Sequence, residues 1–157
     1  MPEIKFISLL DLINHYSNHI EFIKFQYLIL LTELTITDDI ETSLFINNIK
    51  KIHEMGEIIV GITGAPDDVD FLIVASGTII IEPKIIRHGK NVGHIEDIVV
   101  SKHIRGKGVS QEILNQLKKI AKNNNCYKVI LDCDDNVKNV YIKNGFEIKG
   151  LQMAEYF

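Results

Sequence analysis

The amino-acid sequence predicts an α/β fold built on a mixed, mostly antiparallel central sheet flanked by helices. The stretches 58–62 and 71–81 are rich in β-branched residues and are separated by Gly64-Ala65-Pro66-Asp67-Asp68, a turn composition, so they read as an antiparallel hairpin. After them, strand and helix patterns alternate to the C-terminus. The 157 residues, 46% hydrophobic and 24% charged, suit one compact domain over 1–157, which buries roughly two-thirds of its unfolded surface.

Taken in order, the stretch to Leu34 is apolar and poorly periodic, and reads as a short strand followed by a helix. Asp38 and Glu41 have the spacing of a capping box. Ile40, Leu44, Phe45, Ile49 and Ile52 then recur at helical spacing until Gly56 closes the element. Past the hairpin, 93–100 reads as a strand. Val109, Ile113, Leu114, Leu117, Ile120 and Ala121 form one helical stripe. Lys118, Lys119 and Lys122 sit near the C-terminal end of that helix, where its dipole favours cations, and Asn123-Asn124-Asn125 stops it. The stretch 127–132 is a strand, 136–144 a short helix ended by Gly145, and 146–148 begins a final strand.

Composition narrows the function classes. A formal charge of −4 and a pI near 5.8 provide no general attraction for a polyanion, and the longest basic runs are the pairs Lys50-Lys51 and Lys118-Lys119, so no nucleic-acid partner is expected. Cys126 and Cys133 lack CxxC spacing and the six histidines are dispersed, so neither a zinc site, another metal site nor a disulfide framework is expected. Cys133, beside Asp132, reads as a buried structural thiol, with a nucleophile that attacks a thioester in a ping-pong scheme as the alternative. No basic leader precedes a long apolar core, and no apolar run approaches the roughly 20 residues of a membrane span, so a soluble, cytoplasmic protein is expected.

The chemistry concentrates at 93–110. In Arg105-Gly106-Lys107-Gly108-Val109-Ser110 the glycines let the backbone approach a ligand closely, and the first amides of the following helix point unpaired toward an anion such as a diphosphate. The Rossmann fingerprint is not met, because Gln111 holds the third glycine position; a P-loop is not met, because Gly108 follows Lys107. In the strand before it, Glu96 and Asp97 are set among Ile95, Ile98, Val99 and Val100, and in a regular strand they point to opposite faces. A carboxylate facing a core is costly unless solvated or paired, which implies a cleft on at least one face. His94 either orients a carboxylate or fills a strand position.

Gly-His-Ile-Glu-Asp-Ile-Val-Val at 93–100, Arg-Gly-Lys-Gly-Val-Ser at 105–110, Cys-Tyr-Lys-Val-Ile-Leu-Asp-Cys at 126–133 and Tyr141 with Asn144-Gly145-Phe146 together resemble the GNAT acetyltransferases, and within them the glucosamine-6-phosphate N-acetyltransferases. The glycine turn is a superfamily signal, whereas the 93–97 and 126–128 segments are specific to that subfamily. The resemblance extends back through Gly77 to Arg87 and weakens before Thr35.

This resemblance implies acetyl-CoA as co-substrate, D-glucosamine 6-phosphate as acceptor, and direct attack of the sugar amine on the thioester without an acyl-enzyme. It places the pantetheine arm along Ile98, Val99 and Val100, and the diphosphate on Arg105, Gly106, Lys107, Gly108, Val109, Ser110 and Gln111. A bulged or splayed strand there would free amides for the cofactor and the developing oxyanion. Glu96, Asp97 and Asp132 are the side-chain candidates for taking the amine's proton, and Tyr141 matches a tyrosine near the CoA sulfur that donates to the departing thiolate. Substrate contact is carried onto Thr35, Lys84, Ile85, Ile86 and Arg87, as well as Glu96, Asp97 and Asp132. Arg87 replaces a histidine common in the family. The family's C-terminal arginine is missing, because this chain ends Met153-Ala154-Glu155-Tyr156-Phe157. A homodimer with substrate contacts from both subunits is implied, as is a step on the way to UDP-N-acetylglucosamine. Another small amine as acceptor, such as an amino sugar or polyamine, and a catalytically silent CoA-binding module are the alternatives.

Overall fold

A computed structural model describes residues 3–64 and 70–157. Five strands lie in chain order across one sheet: β1 (Ile4–Ser8), β2 (Gly56–Thr63), β3 (Leu72–Pro83), β4 (Asn91–Val100) and β5 (Cys126–Ile130). The first four pair antiparallel, and β5 joins β4 in parallel. The mixed, mostly antiparallel sheet expected from the sequence is therefore present. The turn expected between β2 and β3 lies, from Ala65 to Asp68, outside the described residues.

Helices cover both faces. On one face α1 (Leu9–His15), α2 (Ile20–Leu31) and α3 (Thr42–Met55) bury Leu9, Leu12, Ile23, Tyr27 and Phe45 against Val60, Phe71 and Val99. On the other, α4 (Val109–Asn123) buries Val109, Ile113, Leu114, Leu117 and Ala121 against Ala75, Ile79 and Ile95, the stripe its sequence spacing predicts. At Gly77 a Cβ would come within 2.6 Å of Ile113 Cγ2 and Ile98 Cδ1, so the glycine lets α4 lie close on the sheet.

Three expectations are corrected. The first 34 residues hold two helices after β1, not one: Ser8 caps α1 by accepting from the Asp11 amide, and the chain breaks at Tyr16 before α2. The N-cap of α3 is Glu41, whose carboxylate accepts from the Leu44 amide at 3.1 Å, and not Asp38; the helix starts three residues later than the capping box suggested. Residues 146–157 form no strand, because none of the described residues pairs with them, and Ile148, Leu151 and Met153 stay exposed. The last helix is the short α5 (Lys138–Lys143), closed by Gly145 at φ 87°.

α2 is anchored to β3 by more than apolar burial. The Gln26 side-chain amide donates to Phe71 O and accepts from the Ile73 amide, both at 2.7 Å. This pairing satisfies the main chain at the start of β3 and fixes the helix that carries the segment toward Thr35.

Candidate active site

The site starts from an irregularity in β4. Ser76 pairs with Val99 and Thr78 with Glu96, so Gly77 alone faces both Asp97 and Ile98. That extra residue is a bulge, and Asp97 absorbs it with φ 52°, a left-handed conformation that aspartate tolerates better than branched residues. Strict alternation is thereby broken: Ile95 and Ile98 pack toward α4 while Val99 joins the core under α1–α3. Instead of dividing between two faces, the Glu96 and Asp97 carboxylates are both exposed on one cleft.

The cleft opens because β4 and β5 part company. Their parallel ladder ends at the His94–Ile130 pair, yet β4 runs on to Val100, so among the described residues no strand pairs with that side of β4 from Ile95 onward. Asp132, two residues past the end of β5, lines the gap, and Tyr141 on α5 lines it further along. α5 is fixed at its end by the Lys118 amine, which donates to Asn144 O and sits 4.8 Å from the Phe146 ring centroid. Phe146 in turn meets Tyr141 edge-on at 6.0 Å.

The resulting cleft has a volume of about 990 Å³. Partial burial pushes the Glu96 carboxyl above its ordinary range, and the charges of Asp97 and Asp132 push it further, with His94 opposing. Burial raises the Tyr141 hydroxyl as well, aided by Cys133. At neutral pH this chemistry provides a carboxylate of enhanced basicity and a phenol that keeps its proton.

At the other end of the cleft lies the glycine turn. Gly106 and Gly108 have φ of 76° and 79° with open space where a Cβ would sit. Gly108 is the N-cap of α4, with no side chain to occupy the first-turn amides. A 15-residue helix thus presents unpaired N–H groups and its positive end to the cleft, a setting for a diphosphate. Arg105 lines the cleft beside this cradle. Its Nε donates to Val100 O at 2.9 Å and its Nη2 to Glu33 Oε2 at 3.1 Å, which fixes the guanidinium plane against the protein.

Most of the residues singled out by sequence converge here. Thr35, Glu96, Asp97, Asp132 and Tyr141 all line the cleft, as do Ile98, Val99, Val100, Gly106, Val109 and Ser110, with Arg105 at its edge. Lys107, Gly108 and Gln111 belong to the same turn but do not line it. Lys84, Ile85, Ile86 and Arg87 lie elsewhere, on the hairpin joining β3 to β4; Lys84 is paired with Glu82, and Arg87 stacks 5.4 Å from the Tyr127 ring centroid. His94 also pairs with Glu82, at 2.5 Å. Sequence reading missed Glu33, Asp134, Asn136, Gln152 and Tyr156, all on the cleft wall. Glu33 is two residues from Thr35, the one local signal that pointed to it.

Among the described residues no group of histidine, cysteine and carboxylate side chains is arranged to hold a metal, and no helix is long and apolar enough to cross a membrane.

A profile of the Acetyltransferase (GNAT) family matches residues 29–146, from the end of α2 through the glycine turn to Phe146. The chain belongs to the GNAT acetyltransferase family. Over 132 residues this GNAT enzyme is 36% identical to a probable glucosamine 6-phosphate N-acetyltransferase 2 of Oryza sativa subsp. japonica, covering 83% of this chain and 80% of the relative. It is also 36% identical over 128 residues to the glucosamine 6-phosphate N-acetyltransferase of Arabidopsis thaliana, covering 82% and 85%. The crystal structure of glucosamine-6-phosphate N-acetyltransferase from Arabidopsis thaliana superposes with a TM-score of 0.82 at 30% identity, across 99% of both chains. The five-stranded mixed sheet with helices on both faces is the GNAT fold in this acetyltransferase.

Proposed function

We propose that the protein transfers the acetyl group of acetyl-CoA to the amine of D-glucosamine 6-phosphate, giving N-acetylglucosamine 6-phosphate for the route to UDP-N-acetylglucosamine. The observation that carries this reading is the convergence of Glu96, Asp97, Asp132 and Tyr141 on the cleft that begins at the uncapped start of α4. The likeness to the plant enzymes supports the choice of acceptor.

The residues present fit acetyl-CoA. The amides of Val109 to Gln111 and the open space beside Gly106 and Gly108 suit its diphosphate, and the unpaired side of β4 past Ile95 suits the amide-bearing pantetheine arm. When bound, acetyl-CoA supplies an activated acetyl thioester. Glu96, raised by burial and by Asp97 and Asp132, takes the proton that the amine must lose. β4 amides freed by the bulge and the divergence from β5 stabilise negative charge developing on the acetyl oxygen. Tyr141, held protonated by its surroundings, donates to the thiolate sulfur as it leaves. The Cys133 thiol is exposed on the cleft wall rather than buried as expected, but no step requires it.

Phosphate recognition is the part that needs a second chain. The cleft wall carries Glu33, Glu96, Asp97, Asp132 and Asp134, and among the described residues its one cation is Arg105, already engaged by Glu33. Lys84 to Arg87 lie outside their own chain's cleft; in the proposed homodimer a partner's hairpin would bring the missing positive charge to the sugar phosphate. We place this dimer in the cytoplasm.

The acidity of the cleft favours one other reading, a cationic amine without phosphate, such as a free amino sugar or a polyamine. Thiol release from acetyl-CoA with glucosamine 6-phosphate, glucosamine and a polyamine separates the two. A preference for glucosamine 6-phosphate, weakened in KM by Arg87→Ala, supports the proposal. Equal or better rates with an unphosphorylated amine would overturn it, and no thiol release with any amine would leave a silent CoA-binding module.

A further inference from the structure

One carboxylate spans the two sides of the cleft. Glu33 lies just beyond α2, and its Oε2 accepts the backbone N–H of Lys102 at 2.7 Å together with Arg105 Nη2 at 3.1 Å. Because Arg105 also donates to Val100 O, the stretch between β4 and the glycine turn is held at both ends, and both holds run through this single acceptor's partners. The contact bridges 69 residues of sequence, from the segment that carries Thr35 to the segment that carries Gly106 and Gly108.

On its own side Glu33 is part of a tight unit. Its amide donates to Leu30 O at 3.1 Å, the Leu34 amide to Leu31 O at 2.9 Å and the Thr35 amide to Leu31 O at 3.1 Å, so the backbone from Glu33 to Thr35 moves as one piece. The Glu33 side chain is only 22% exposed, which limits the screening of its charge-assisted bonds by water. A ligand that immobilises the glycine turn immobilises Arg105 next to it, and with Arg105 the carboxylate that positions the Thr35 segment.

We propose that Glu33 is a positioning residue that couples donor binding at the glycine turn to the order of the acceptor-side segment 32–37, so that each substrate raises the affinity for the other. This rests on the reading of the turn as the acetyl-CoA site. Coupling of this kind is reciprocal: whatever factor the donor adds to acceptor binding, the acceptor adds to donor binding.

Hydrogen–deuterium exchange of the full chain with and without coenzyme A tests it. In the wild type, coenzyme A is expected to slow exchange at both 106–111 and 32–37. In Glu33→Ala it should still protect 106–111 but no longer 32–37. Glu33→Gln keeps an acceptor for the Lys102 amide while giving up the charge on Arg105, and should retain part of the effect. In steady state Glu33→Ala should raise KM for the acceptor about fivefold, the size expected for one partly exposed charge-assisted bond, with a smaller change in kcat. Protection confined to 106–111 in the wild type, or equal protection of 32–37 in Glu33→Ala, overturns the coupling. Protection of both segments in a protein that does not acetylate glucosamine 6-phosphate would refute the acceptor reading and leave the coupling standing.

Discussion

The Tyr27 hydroxyl accepts a hydrogen bond from Ser76 Oγ at 3.3 Å, in the buried layer beside the bulge where Asp97 takes its left-handed backbone. Burial is the main reason its pKa is pushed up to about 12, with the Asp97 charge adding to it. A folded pKa above the ordinary 10.0 means that stability is fully present below pH 10 and is lost as pH rises through 12. Tyr27→Phe should therefore lose ~1 kcal/mol near neutrality, by stranding Ser76 Oγ, but show a flatter decline in alkali. Urea unfolding at neutral pH and between pH 10 and 12 checks both halves; a decline as steep as wild type would place the alkaline transition on another group.

Glu96 acts as a base only when ionised, so its raised pKa moves the acid limb of kcat/KM to higher pH than an ordinary glutamate would give. Asp132→Asn removes one of the charges that raise it. The variant should be slower on the plateau, yet its acid limb should shift to lower pH. A limb that stays in place would show that another group takes the proton.

Replacing Tyr141 by phenylalanine keeps the edge-on contact with Phe146 and removes only the hydroxyl. Loss of a general acid predicts a fall in kcat of about 10²-fold, with KM for acetyl-CoA little changed. The deficit should shrink with an acetyl thioester whose thiol has a lower pKa, since that leaving group needs less help. An unchanged kcat would make Tyr141 a packing residue.

Two glycines should respond very differently to alanine. At Gly56, where α3 runs into β2, a Cβ would lie 1.8 Å from Ile79 O, a main-chain atom that cannot step aside, and a loss on the order of 3 kcal/mol is expected. At Gly108 the space is open and only the left-handed φ is strained, a cost of ~1 kcal/mol. Gly108→Ala should instead raise KM for acetyl-CoA. Thermal melts and steady-state kinetics on the pair would reveal any reversal of this order.

What the sequence made legible was local. α4 declared itself because its apolar residues fall on one stripe, and the glycine turn because φ near 76–79° is left to glycine. α2 did not, because it is apolar on every side: Ile23, Tyr27 and Leu30 are buried while Phe22, Phe25 and Ile29 are exposed, and no period survives. The strand expected at 146–148 has β-forming residues but no partner among the described residues, and pairing is not encoded within three residues. The bulge at Asp97 depends on how β3 and β4 are registered, and Glu33 on a contact 69 residues away; neither leaves a pattern in its own neighbourhood.

The early end of the β4–β5 ladder has a mechanical consequence for the cleft. Glu96 and Asp97 stand on a strand laddered to β3 on either side of the bulge, in the middle of the sheet, whereas Asp132 and Tyr141 belong to the stretch beyond Ile130, tethered through α4 and the Lys118–Asn144 bond. One jaw is therefore fixed and the other yields. With Glu96 as the proposed base and Tyr141 as the proposed acid, local opening should begin in the yielding jaw and carry the acid away while the base stays in place, so that product departure and loss of the acid would be a single motion.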